Sequence, residues 1–157
     1  MTDFKHDAIV RHEALIPFSR DHYVGLVQAR HLIQAANADA GARRKALTDF
    51  VNAWDADIAE HFYDEERLLM QLMGTDDQQR LFDEHEQLMQ FADHAFEMQH
   101  QDDPDPQIVR QIGQCLKQHI RWEERDLFTR LQKQLSATVL GKLQHKTQAI
   151  EASRNRS

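Results

Sequence analysis

The sequence predicts an all-α protein, an antiparallel up-down-up-down four-helix bundle followed by a short C-terminal helix. Three observations carry that prediction. Apolar residues recur at alternating spacings of three and four, the pattern of a helix that buries one face. Short polar breaks fall at residues 37–41 (NADAG), 74–77 (GTDD) and 100–106 (HQDDPDP), each joining Gly or Pro to Asp or Asn, residues that stop one helix and cap the next. Gly and Pro are scarce overall, at five and three in 157 residues, which favours long helices over tight turns. Connections this short make neighbouring helices antiparallel. The chain length leaves room for one core, so residues 1–14 read as an N-terminal arm, 15–135 as the bundle, and 136–157 as a short helix and tail.

In the first helix, Ser19 after Pro17 reads as the N-cap, and Phe18, His22, Leu26, Ala29 and Ile33 share a face. The second carries the longest stripe: Leu47, Val51, Trp54, Ile58, His61, Glu65, Leu68 and Leu72, spaced 4, 3, 4, 3, 4, 3, 4. Leu81, His85, Leu88 and Ala92 mark the third helix, and Ile112, Leu116, His119, Glu123 and Leu127 the fourth. Ser136 is placed to cap the fifth helix through Val139, Leu140 and Leu143, with residues 151–157 (EASRNRS) as a frayed tail.

Composition excludes several classes. A formal net charge of -7 with no basic stripe argues against nucleic acid, whose phosphates attract clustered Lys and Arg. Residues 1–11 (MTDFKHDAIVR) hold no apolar leader and no long apolar run follows, so neither secretion nor a membrane span is indicated and the expected location is cytoplasmic. Cys115, the one cysteine, reads as a small buried apolar side chain.

The chemistry lies in the histidines, ten in all. His22, His61, His85 and His119 each fall on an inward stripe where a leucine would serve. Residues four apart on a helix share a face, so Glu65 points with His61 and Glu123 with His119. An unpaired buried carboxylate costs several kcal/mol, roughly, and a buried imidazole also needs partners. Two divalent cations would satisfy the set, with the glutamates bridging or chelating and each imidazole giving one nitrogen. One inward histidine is ordinary core, and one His-x-x-x-Glu is an ordinary surface pair; the conjunction across four helices favours metal. Glu66 and Glu124, about 100° off the inward face, read as solvated rim. His6, His12, His31, His94, His100 and His145 read as surface or loop. The rival is a metal-free helical module that binds a protein partner. A ferritin-like site needs Glu-x-x-His on two helices, and only Glu97–His100 fits; a zinc protease needs His-Glu-x-x-His, where Met89 stands instead of the second histidine.

Ser19-Arg-Asp-His22-Tyr, His61-Phe-Tyr-Asp-Glu65-Glu66, Phe82-Asp-Glu-His85-Glu and His119-Ile-Arg-Trp-Glu123-Glu124-Arg-Asp-Leu-Phe128 together resemble the hemerythrin-like (HHE cation-binding) domain, over residues 16–131. The resemblance implies a four-helix bundle around a non-haem di-iron centre. Its ligands would be His22, His61, Glu65, His85, His119 and Glu123, holding two iron ions per chain that an oxo or hydroxo group can bridge. Oxygen carriers of that family have a further histidine four residues after the third-helix one, and an aspartate as the last ligand; here Met89 and Glu123 stand there. The site should therefore keep an open position, bordered by Met89 and walled by Leu26, Ile58, Phe62, Leu88 and Trp122. That implies binding or sensing of a small ligand such as O2, NO or peroxide, or iron handling. The alternative is the iron-centre repair and nitric-oxide-stress branch, which the four-histidine, two-glutamate set also resembles, although this chain lacks that branch's additional N-terminal cysteine-bearing domain.

Overall fold

A computed structural model describes residues 10–155. Most of the expected N-terminal arm, His6 included, and the last two residues of the expected tail lie outside the described residues. The described chain is helical throughout, with no strand: α1 (Ile16–Ala36), α2 (Ala40–Ala53), a π-turn (Trp54–Ile58), α3 (Ala59–Leu68), a 3-10 turn (Met70–Leu72), α4 (Thr75–Met98), α5 (Pro106–Trp122), a second π-turn (Glu123–Leu127), α6 (Phe128–Gln134) and α7 (Ala137–Asn155). The π-turns join α2 to α3 and α5 to α6 without breaking the helical path, so the chain runs as four long helical stretches and a fifth, an arrangement compatible with a helical bundle.

The three polar breaks fall where the sequence places them. Asp39 Oδ1 accepts from the Ala42 N–H at 2.8 Å, and Asp105 Oδ1 from the Gln107 N–H at 2.9 Å. Ser136 Oγ caps α7 through the Val139 N–H at 3.2 Å. Each satisfies a donor that the first helical turn leaves unpaired. Arg43 ties two breaks together, donating to the carbonyls of Ala38 at 2.6 Å and Pro104 at 2.9 Å. Ser19 is not a cap. The helix begins at Ile16, preceded by Leu15, which makes no side-chain cap bond; the fully buried Ala14 and Leu15 anchor the entry instead.

The inward stripes of the second, third and fourth stretches agree with expectation, but that of α1 is turned. Phe18, His22, Gly25, Ala29 and Leu32 are buried, whereas Leu26 is 40% exposed and Ile33 half-buried. Small residues explain it. A methyl at Gly25 would lie 2.7 Å from Ile120 Cδ1, and one at Gly113 would lie 2.8 Å from the Ala29 carbonyl oxygen, so α1 and α5 pack backbone to backbone.

Helix α7 corrects the expectation of a short fifth helix and a frayed tail. It spans 19 residues, and Leu140, Leu143 and Thr147 are buried with Ile150 packed beside them. This stripe keeps the 3, 4, 3 spacing past the point where large apolar residues run out. Its leucines join an apolar cluster containing Leu15, Phe18, Leu69, Leu81, Trp122 and Phe128. A second cluster, around Leu32, Leu47, Phe50, Leu88, Ile112 and Leu116, fills the other end. Between them lie buried polar side chains.

The two glycines on open and closed faces give opposite expectations. Gly141 has no atom within 4 Å of an added methyl, so Gly141→Ala should gain about 0.5–1 kcal/mol from helix propensity alone. Gly113→Ala gains the same propensity but drives its methyl against Ala29 O and Ile33 Cγ1 at 2.9 Å, and should lose about 1–3 kcal/mol net. Urea denaturation of both variants checks the sign of each.

Candidate metal centre

His22 comes from α1, His61 and Glu65 from α3, His85 from α4, His119 from the end of α5 and Glu123 from the π-turn that follows. All six are buried, with Glu65 and Glu123 fully so. The structure brings every one of the sequence-predicted site residues together. They form two overlapping groups, His22–His61–Glu65–Glu123 and Glu65–His85–His119–Glu123, each with one atom per residue within 4.8 Å of all the others. Both glutamates belong to both groups.

The inner contacts run through Nε2. His22 Nε2 meets Glu123 Oε1 at 2.7 Å, and His85 Nε2 meets Glu65 Oε1 at 3.0 Å. His61 Nε2 stands 3.0 Å from Glu65 Oε2, and His119 Nε2 stands 3.5 Å from Glu123 Oε1, without hydrogen-bonding alignment. His61 Nε2, His119 Nε2, Glu65 Oε2 and Glu123 Oε2 are buried atoms with no hydrogen-bond partner. Such atoms are costly to leave bare, and nitrogen and carboxylate lone pairs converging on one space suit a divalent cation. The residues present therefore fit a metal.

On its outer side, each imidazole meets a carboxylate through Nδ1: His22 with Glu124 at 2.7 Å, His61 with Asp21 at 3.2 Å, His85 with Glu66 at 2.7 Å and His119 with Glu84 at 2.7 Å. An ionised carboxylate only accepts, so each Nδ1 carries a proton, and Nε2, once its own proton is lost to a metal, faces the centre with a lone pair, the usual outer support of a metal-binding histidine. Glu66 and Glu124, expected as solvated rim, orient ligands instead. They stand at the edge, half-buried, but the direction of an imidazole's far nitrogen decides their role. The helix stripes do not single out Asp21 and Glu84. Each directly precedes an inward histidine, and a carboxylate next to such a histidine is the one available sequence signal. Arg154 pairs with Asp21, Arg80 with Glu84 and Arg11 with Glu124. Once a metal has displaced the ring protons, six carboxylates stand against three guanidiniums, a negative surrounding that compensates bound cations.

Aromatic rings wall the site. Phe62 stacks on His85 with ring centroids 3.9 Å apart and meets His119 edge-on. Phe128 stacks on His22, Phe18 stands against His61 and Trp122 against His119. Of the expected wall residues, Leu26 faces away. Met89 is 43% exposed and lines, with Phe62, Glu66 and His85, a surface groove on the outer side of the centre. On the other side, a cavity of about 10 Å³ touches His22, His61, Gly25, Leu116 and Ile120, room for about one water molecule. His31, His94, His100 and His145 are exposed. His12 is half-buried and accepts the Ala14 N–H at 3.0 Å.

Fold and site together define a helical protein with a buried His/Glu metal-binding centre. A family model, the Hemerythrin HHE cation binding domain, matches residues 22–131, and the chain belongs to that family. No curated protein and no solved structure matches it.

Protons compete for the same nitrogens. Burial pushes His61 and His85 down, but the Glu65 charge and the hydrogen bonds of Asp21, Glu65 and Glu66 outweigh it and raise both to about 9. Burial likewise opposes ionisation of Glu65, yet the surrounding histidines hold it well below the usual carboxylate range; burial and the charge of Glu65 push Glu123 up. A histidine raised in the folded state contributes stability that is complete below its unfolded value, about 6.5, and lost as pH rises through about 9. Metal must displace these protons. The melting temperature of metal-free protein should thus fall between pH 6.5 and 9, while the increment on adding saturating metal should widen. Calorimetry with and without chelator checks it, and a narrowing increment would count against Nε2 ligation.

Proposed function

We propose that this chain is a non-haem di-iron protein that binds or senses a small ligand such as O2, NO or peroxide, or handles iron. The observation that carries the reading is the pair of overlapping ligand groups sharing Glu65 and Glu123. His22 and His61 would hold one ion, His85 and His119 the other, and the two glutamates would serve both. Three short connections support an antiparallel up-down-up-down course for the four long stretches. Two bound iron ions would supply redox-active, Lewis-acidic centres open to a small ligand.

The protein's own groups then do three things. Asp21, Glu66, Glu84 and Glu124 keep the Nδ1 protons in place and fix the ring planes. Phe18, Phe62, Trp122 and Phe128 exclude water from the rings they cover. The cavity beside His22 and His61, apolar but for Asp21 and Asp57 at its edge, favours a small uncharged molecule over a charged metabolite. A redox role in iron-centre repair or nitric-oxide stress is the second reading; it is favoured by Met89, half-exposed in the groove beside His85, standing where oxygen carriers have a fifth histidine. A cytoplasmic location fits, since no helix among the described residues is long and apolar enough to cross a membrane.

Anaerobic loading with Fe2+ followed by metal analysis tests the reading, with two irons per chain as the expected result and one or none as the result against it. His61→Ala and Glu65→Ala should lose iron and lower the melting temperature, since each leaves buried partners unpaired. His94→Ala and His145→Ala should keep full iron, and Met89→His should leave the iron spectrum unaltered. Equal iron loss in both histidine groups would refute the ligand assignment.

A further inference from the structure

We propose that Arg154 is a positioning residue for the metal centre, holding the His61 imidazole through Asp21, so that α7 sets the cation affinity of the His22–His61 half of the site. The proposal rests on the metal-binding reading above and extends it to a helix beyond the matched stretch, which ends at residue 131.

The register of α7 puts Arg154 there. Leu140, Leu143, Thr147 and Ile150 form its inward stripe, and Arg154 is the next position in the same 3, 4, 3, 4 spacing. Its Nη1 donates to Asp21 Oδ2 at 3.1 Å, and that same oxygen accepts from His61 Nδ1 at 3.2 Å. Nη2 donates to Asp64 Oδ2 at 2.6 Å, and Nε lies 3.5 Å from Glu60. Glu60 and Asp64 flank His61 on α3, whereas Asp21 precedes His22 on α1. One planar fork therefore fixes the two helices that supply one half of the centre.

The outer carboxylates of the other three histidines are not held by α7. Glu84 is paired with Arg80 on its own helix, and Glu124 with Arg11; Glu66 reaches His85 from α3. The Asp21–His61 contact is also the longest of the four, at 3.2 Å against 2.7 Å, so it gains most from a cation that fixes its acceptor. Arg154 and Asp21 are each about a third exposed and their pair contributes little to stability, whereas Asp64 is buried and loses a partner with Arg154. A drop in melting temperature is therefore expected as well, and the proposal is read in the affinity and proton exchange of one half of the site.

The test uses the full chain and Co2+ as a paramagnetic probe, with Arg154→Gln, Arg154→Lys and, as a control, Glu151→Gln, which removes only the 2.7 Å bridge from α7 to Arg20 on α1. Calorimetric titration reads affinity, and proton NMR reads solvent exchange of the shifted imidazole Nδ1 protons. Arg154→Gln should weaken one of two Co2+ sites about tenfold and speed exchange at His61 alone. Arg154→Lys should recover part of both, and Glu151→Gln should change neither. Two wild-type affinities with an unaltered His61 proton in Arg154→Gln would overturn the proposal. So would a loss spread over both sites and all four histidines, or one matched by Glu151→Gln, since each marks general undocking of the helix. Wild-type protein that takes up no Co2+ would overturn the metal reading itself, before any variant is compared.

Discussion

Everything in this structure answers to two carboxylates with no access to water. Glu65 and Glu123 are fully buried, and a charge in that position must be compensated by hydrogen bonds and opposite charge or it unfolds the chain. Four imidazoles point their Nε2 atoms at the pair, four further carboxylates fix the imidazoles from behind, and arginines answer three of those. The polar layer thus grows outward in alternating sign until it reaches solvent. Its presence divides the apolar interior into two clusters, and the helices must satisfy both at once. Buried polar groups of this kind are high in cost when incomplete and specific when complete.

The repeating histidine stripe made the site legible in the sequence, because a helix converts spacing into direction. All six candidate ligands lie on stripes whose apolar members are large, and large residues announce a buried face. What escaped the reading has a common cause in the size of side chains. Gly25 marks the inward face of α1 by being absent, so Leu26 took its place in the stripe; Thr147 extends α7 without being apolar. The π-turns left no trace in the spacing either. Each inserts an extra residue into a helical turn, and π-turns often occur beside functional sites; here one lies just before His61 and the other begins at Glu123.

The outer carboxylates show a different limit. Periodicity assigns a residue to an inner or outer face, and Glu66 and Glu124 were duly assigned to the outer one. An imidazole, however, spans both faces, with one nitrogen inward and one outward. A carboxylate at the edge can therefore belong to the centre without pointing at it. Asp21 and Glu84 illustrate the same geometry from neighbouring helices, where no single-helix pattern would have gathered them.

The seal over the ligands also governs time. None of the six exposes more than 4% of its surface, and a hydrated cation is wider than any gap such side chains leave. Loading and release of an ion there would wait for the helices to part, and the centre would fill and empty at the breathing rate of the bundle. An occupied site would then persist through changes in free metal concentration that are shorter than that interval. A centre sealed in this way would integrate metal supply over time and would not follow it from moment to moment.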